Sequence, residues 1–434
     1  MTNCIIELND SEVRVYRGGD IVLRSPGFAY LVNDEIKVGH EAAKHARLRP
    51  QAVYDRFWKN LNQEALPYPS SVARHNADLA YAHLLAIHEE SGKPDEIAVT
   101  VPGSFENDAL SLLLGLIEAS PLQAVAIVDT ATAACAATEL KGKAVYLDIH
   151  LHQLIVSELS IDAEVQRNSI QLLDDVGLRH VYDAIANTIS DLFVKESRFD
   201  PQLHPESEQA LYDQIPACLD ALLLHDEVTL EIHYQDTQHR AKLKLETLVE
   251  TLTPLYEKIV SVSKSTPNCF ISEQMSNLPG IKSALPDAIT IPFSNIYKNC
   301  LSNSSILHSA GGAVNYITSF PSNPVSTPAV APENKQADEQ ITQKKAPQIS
   351  HVLLGHKAYP LKHELKLSAS GLLDSDVVHC VISNNDNHVQ LEPVGELTVF
   401  VNGHHLQGKT VLNAGDIISF TGSKTEYTLI HVDE

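Results

Sequence analysis

The chain has 434 residues, 44% of them hydrophobic and 20% charged, which is enough apolar side chain for two or three domains with cores of their own. Its formal net charge of −23 disfavours nucleic acid and anionic membrane as large-surface partners, because neither supplies the counter-charge such a surface needs. Six cysteines (Cys4, Cys135, Cys218, Cys269, Cys300, Cys380) without a Cys-x-x-Cys pair signal no zinc knuckle and no disulfide framework, and read as free thiols of a reducing compartment. The start has no basic segment followed by an apolar run, and no apolar stretch reaches the roughly eighteen residues of a membrane span, so membrane insertion is not expected and the cytosol is the expected location.

In chain order, short apolar runs ("EIAVTVP", "AVAIVD", "KAVYLDI", "NCFIS") alternate with helical stretches, clearest in "ENDALSLLLGLIEAS", an α/β pattern. "EVTLEIHYQDTQHRAKLKLETL" (227–248) alternates like a surface hairpin that leads into an amphipathic helix. Residues 321–348 concentrate Pro, Ser, Gln and Lys, a composition that buries too little apolar surface to offset its ordering entropy, and read as a linker. Beyond it, 349–434 carries "HCVIS", "VQLEP", "LTVFV" and "IISFT", punctuated by "SNNDNH", "VNGHH" and "LNAGD", the pattern of a small β-sandwich. The adjacent His404 and His405 read as part of a turn.

Residues 1–320 resemble the nucleotide-binding domain of the DnaK-type heat-shock chaperones, within the actin, sugar-kinase and heat-shock ATPase superfamily. The likeness rests on seven segments in order: "VGHEAAKHARLRP" (38–50), "AVTVPGSFENDAL" (98–110), "VDTATAACAATEL" (128–140), "AVYLDIHLHQLIVSEL" (144–159), residues 197–232, "CFISEQMSNLPGIKSAL" (269–285) and "HSAGGAVNYI" (308–317). It implies a two-lobed α/β fold, with the first connecting helix in 128–140, the ribose-side helix and a hairpin in 197–232, the adenosine loop in 269–285, and the second connecting helix with Gly311 and Gly312 in 308–317.

The resemblance also marks where an ATP site has lost its chemistry. Phosphate loops need close backbone approach and positive φ, which glycine supplies. Here the first loop reads "ELND", with Glu7 for the family's aspartate, Asn9 for its glycine and Asp10 for its threonine. In the second loop Asp148 persists, but His150, Leu151, His152 and Gln153 replace Gly-Gly-Gly-Thr, which implies an ordinary hairpin with side chains in the phosphate volume. The glutamate that orients water reads Thr130, the ribose-clamp positions read Cys218 and Ala221, and the adenosine Gly-Gly pair reads Glu273 and Gln274. The phosphate-contacting lysine falls on Lys59, or in another register on Phe57. Composition points the same way, since 19 glycines in 434 residues is about 4%, against roughly 7% on average.

Residues 349–434 resemble a forkhead-associated domain, a β-sandwich that binds phosphothreonine. Gly355, His379, Asn402, Gly403, Gly415 and Asp416 stand at its structural positions, while His356 replaces the phosphate-binding arginine and Asp376 the serine. Losing a bidentate cation and gaining a carboxylate disfavours dianion capture at the site formed by His356, Asp376, His379 and Asn402.

Two further chemistries are open at this stage. His150 and His152, two apart on a strand, would share a face and could both reach a metal ion, and Asp148 could hold Mg²⁺ through water. The expected function is a non-catalytic pseudo-ATPase, without cofactor, that acts as a scaffold or adaptor for an unidentified protein partner. The alternative is a divergent ATP- and Mg²⁺-dependent chaperone or ATPase whose reorganised site uses Asp148, Lys59 and Glu7. A third reading is a bacterial cytoskeletal or pilus-assembly scaffold of the actin type.

Overall fold

The computed structural model describes residues 4–264, 266–308 and 314–322, and beyond these the segments 350–354, 357–361, 364–368, 378–385, 388–394, 399–401, 404–406, 409–412, 415–421 and 426–430. The chain divides into two compact units, Met1–Ala329 and Val330–Glu434.

The first unit holds two six-stranded sheets built on one plan. In one, Cys4–Glu7, Val13–Arg17 and Asp20–Ser25 form an antiparallel meander, and Cys4–Glu7 pairs in parallel on its other side with Glu96–Val101, followed by Gln123–Asp129 and Asn315–Ile317. In the other, Gly142–Ile149, Leu154–Ile161 and Glu164–Leu173 form the meander, and Gly142–Ile149 pairs in parallel with Asn268–Ser272, followed by Ile289–Ile291. Central strands such as Glu96–Val101 and Gly142–Ile149 are buried along nearly their whole length, as their unbroken apolar runs require when both faces of a sheet are covered.

Helices provide that cover. Asn107–Glu118 buries Leu110, Leu113 and Ile117, one stripe at helical spacing, in the core of the first sheet. Leu178–Ser197, Pro205–Leu222 and Leu245–Ser263 contribute their apolar faces to the core of the second. The expected surface hairpin is Glu227–Tyr234 with Thr237–Lys244, and it leads into the helix Leu245–Ser263.

Two local expectations are corrected. The stretch read as a second connecting helix carries instead the strand Asn315–Ile317, paired in parallel with 126–128, because Tyr316 and Ile317 extend along the open edge that Gln123–Asp129 presents. Gly311 and Gly312 lie outside the described residues. At the expected linker, Pro321 ends the strand Ser319–Pro321 on the edge of the second sheet, and the Ser322 amide donates to the Ala163 carbonyl at 2.9 Å. The rest of the 321–348 stretch lies outside the described residues.

The second unit has two antiparallel sheets, one ordered Lys357–Pro360, His351–Leu354, Glu426–Ile430, Ile417–Phe420, Val399–Val401, His404–His405, the other Glu364–Leu367, Cys380–Asn385, His388–Pro393, Thr410–Leu412. Both feed one core, with Val352, Ile418 and Leu429 from the first and Leu367, Ile382 and Leu391 from the second. His404 and His405, expected in a turn, form a short strand that pairs with Phe400 and Val401.

Candidate functional site

The duplicated plan brings two hairpin turns together. Residues 8–12 follow Cys4–Glu7 and residues 150–153 follow Gly142–Ile149, so both turns leave the carboxyl end of the first strand in their sheet, where open α/β sheets place ligands. The second turn is a tight hairpin, as expected, with the His150 amide donating to the Gln153 carbonyl at 2.8 Å. The turns are bonded to one another. Asn9 Nδ2 donates to the Ile149 carbonyl at 3.2 Å, and the Leu151 amide donates to Asp10 Oδ1 at 2.7 Å.

His150 fills the space between them. Its Nδ1 lies 3.2 Å from Asp10 Oδ1 and its Nε2 3.3 Å from Asp148 Oδ2, with all three side chains buried. Burial opposes charge on the ring, but the two carboxylates outweigh it and push the His150 pKa up to about 10. Burial acts on Asp10 too, and is outweighed by His150 and by the Leu151 amide, so its carboxyl sits below the usual range. The group at this point is therefore an imidazolium held by two aspartates at neutral pH.

Glu7 has a cation of its own. Arg14 stands directly opposite it in the antiparallel pair, and its Nη1 is 3.0 Å from Glu7 Oε1, while the Tyr16 hydroxyl donates to Glu7 Oε2 at 2.5 Å. Burial dominates Glu7 and raises its pKa, and Arg14 and Tyr16 only partly offset the rise. Arg14 also donates to Gln274 Oε1 at 2.8 Å and lies 3.9 Å over the Phe293 ring, and Gln274 Nε2 donates to Ser11 Oγ at 2.9 Å. Gln274 thus ties the segment after Asn268–Ser272 to the first turn. Glu273 faces elsewhere and accepts the Phe293 amide at 2.7 Å.

Beneath the second turn, the helix Leu178–Ser197 points its N-terminal amides at the turn's own carbonyls. Leu178 N donates to His150 O at 2.9 Å and Arg179 N to Leu151 O at 2.8 Å. Such amides are a ready anion site, and here the chain occupies them itself. Gly177 makes the approach possible, since a Cβ there would stand 2.6 Å from the Gln153 amide nitrogen.

The remaining sequence-predicted residues are placed as follows. Lys59, not Phe57, borders the junction. Phe57 is in the core, and Lys59 pairs with Asp174 at 2.6 Å. A cavity of about 10 Å³ lined by Asp10, Lys59, Ser104, His150 and Gln153 adjoins the junction, room for about one water. Thr130 is buried where Gln123–Asp129 passes into the helix Thr130–Cys135. The charged group beside it is Asp129, which accepts the Thr132 amide at 3.1 Å and pairs with Arg167 at 2.7 Å. Cys218 packs in the core and Ala221 is half-buried.

The shared-face metal reading of His150 and His152 does not hold. The strand ends at Ile149, both histidines fall in the turn, and they turn to different carboxylates, with His152 Nε2 3.3 Å from Asp55 Oδ1. Among the described residues no group of three His, Cys, Asp or Glu side chains is arranged to hold a metal ion. All six cysteines are free, and no described helix is long and apolar enough to cross a membrane. In the second unit His379 is structural in its contacts, its amide donating to the Leu367 carbonyl at 2.9 Å and its ring 5.7 Å from Phe420. His356, Asp376 and Asn402 lie outside the described residues.

Sequence reasoning missed Arg14, the cation that neutralises Glu7. A signal was present, since "ELNDSEVRVY" can close as a hairpin that sets Glu7 opposite Arg14 with Tyr16 two residues on, on the same face. No family model matches the sequence, and a search of curated proteins finds no match either.

Proposed function

We propose that this chain is a non-catalytic pseudo-ATPase of the DnaK-like, actin-fold superfamily, used as a protein-interaction scaffold or adaptor and joined to a degenerate forkhead-associated-like module. Two sheets of the same meander-plus-parallel plan, with their first turns meeting at the strand ends, support the superfamily reading. The observation that carries the loss of catalysis is the His150 clasp. Where phosphates and a metal ion would have to lie, an imidazolium bridges Asp10 and Asp148, and the neighbouring helix amides are taken by backbone carbonyls.

Phosphoryl transfer depends on positioning and on electrostatic stabilisation of the transferred group. Each residue that a reorganised ATP site would use is already engaged, Glu7 by Arg14, Asp148 by His150 and Lys59 by Asp174. What the arrangement does instead is lock the two turns together. Away from the turns, Arg47 pairs with Asp183 at 2.8 Å and Glu208 at 3.2 Å, and Gln209 Nε2 donates to the Ala43 carbonyl at 3.2 Å. A junction that needs no nucleotide to hold it suits a constant binding platform. A phosphate-release assay with Mg²⁺ and ATP tests the reading: no turnover above background is expected, and robust turnover abolished by Asp148→Ala would sink it.

A further inference from the structure

Beside the junction lies a cavity of about 820 Å³, with a second of about 170 Å³ sharing Leu178, Tyr182 and Pro216 in its wall. Its size is that of a small-molecule pocket. Pro26, Phe28, Leu151, Leu178, Tyr182 and Ala210 supply apolar surface to its walls.

The charges at its rim are largely spent within the protein. Arg47 is held by Asp183 and Glu208 and lies 3.5 Å over the Tyr212 ring, Arg179 pairs with Asp55 at 2.8 Å, and Glu12 pairs with Arg14 at 3.0 Å. Gln274 spends both ends of its amide on Arg14 and Ser11. Lys44, Glu206 and Asp213, the other charges of the lining, are exposed at the rim, where water screens them. The Tyr182 hydroxyl makes no hydrogen bond among the described residues, and burial, with Glu12 and Asp220 adding, pushes its pKa up to about 12, so it remains a neutral donor and acceptor at the wall shared by the two cavities.

We infer that this pocket binds an uncharged, largely apolar ring compound that carries one hydrogen-bonding group for Tyr182. An apolar ring body matches the walls, a single polar group meets the one unengaged wall hydroxyl, and a polyphosphate has no place beside a junction filled by Asp10 and His150. The site goes beyond the scaffold reading, because a platform without catalysis does not require a small ligand.

The test uses the full chain and N-phenyl-1-naphthylamine, an uncharged aromatic amine that fluoresces in apolar surroundings. Saturable binding of one probe per chain is expected. Ala210→Trp, which fills the pocket, should weaken it by about tenfold or more with the melting temperature kept, and millimolar ATP should not displace the probe. Ala46→Trp, on a loop at the rim, serves in the same way should Ala210→Trp fail to fold. Tyr182→Phe should weaken binding by about threefold to tenfold, the loss of one hydrogen bond. Non-saturable binding, or saturable binding unchanged in the folded tryptophan variants, would overturn the site. Displacement by ATP would overturn the ligand class, and because it involves no turnover it is distinguishable from failure of the pseudo-ATPase reading.

Discussion

Asp10 Oδ1 and His150 Nδ1 lie 3.2 Å apart although 140 residues separate them in sequence, and this contact joins the first turns of two sheets built on one plan. Asp148 completes the clasp from the other edge of the ring. His150→Ala would leave two buried carboxylates without their cation, a loss on the order of 3–5 kcal/mol. Denaturant titration should show the midpoint fall accordingly. If Asp10→Asn and Asp148→Asn are combined with His150→Leu, much of that stability should return, because no charge then remains unpaired.

The same clasp sets a pH dependence. A histidine whose folded pKa is raised from about 6.5 to about 10 contributes stability that is fully present below the lower value and is lost as pH rises through the upper one. Asp10, with its folded pKa depressed, contributes above the usual carboxylate range and loses its contribution as pH falls. Melting temperature should therefore decline from pH 7 to 10.5 in the natural protein, and decline less in the Asn-Leu-Asn triple variant. Equal slopes would show that His150 is not the group responsible.

Gly177 offers a steric test of the filled helix terminus. A methyl group there meets backbone atoms of 151–153 that cannot swing aside, so Gly177→Ala should cost about 1–3 kcal/mol, with chemical-shift changes centred on residues 150–153. A neutral outcome would mean that the turn does not sit on the helix as described.

Each unit has its own core, and the strand Ser319–Pro321 belongs to the first, so the composition of the stretch beyond Ser322 predicts the first proteolytic cut there, with two independent unfolding transitions retained. One cooperative transition that survives the cut unchanged would contradict this. In the second unit the sequence predicts that phosphothreonine peptides bind no better than unphosphorylated ones, and that His356→Arg with Asp376→Ser raises phosphopeptide affinity in an anisotropy titration.

Much of this was legible in the sequence, for reasons that can be named. Short apolar runs with β-branched and aromatic members, such as "AVYL", fit strands buried on both faces, and the absence of glycine from 150–153 already implied a hairpin rather than a phosphate cradle. What the sequence hid is pairing over distance. Nothing local to His150 marks Asp10 as its partner, or Gln274 as the bridge between Ser11 and Arg14, because these contacts exist only once two sheets have been brought end to end. The large cavity was hidden for the same reason, since its walls come from segments as far apart as Pro26 and Gln274. "VNYI" was misread because its helical context was borrowed from a resemblance, whereas the decisive influence is the open edge beside Ala126–Val128.

A pseudo-ATPase and a working ATP site differ first in whether the chain binds a nucleotide at all. Isothermal titration of the full chain with ATP and Mg²⁺ at near-neutral pH, where His150 is charged and the clasp closed, measures this. No saturable heat up to millimolar nucleotide is the predicted result. Micromolar, Mg²⁺-dependent binding that is lost in Asp148→Ala would contradict the pseudo-ATPase reading, because it would require His150 to leave Asp10 and Asp148 and the small cavity beside them to open.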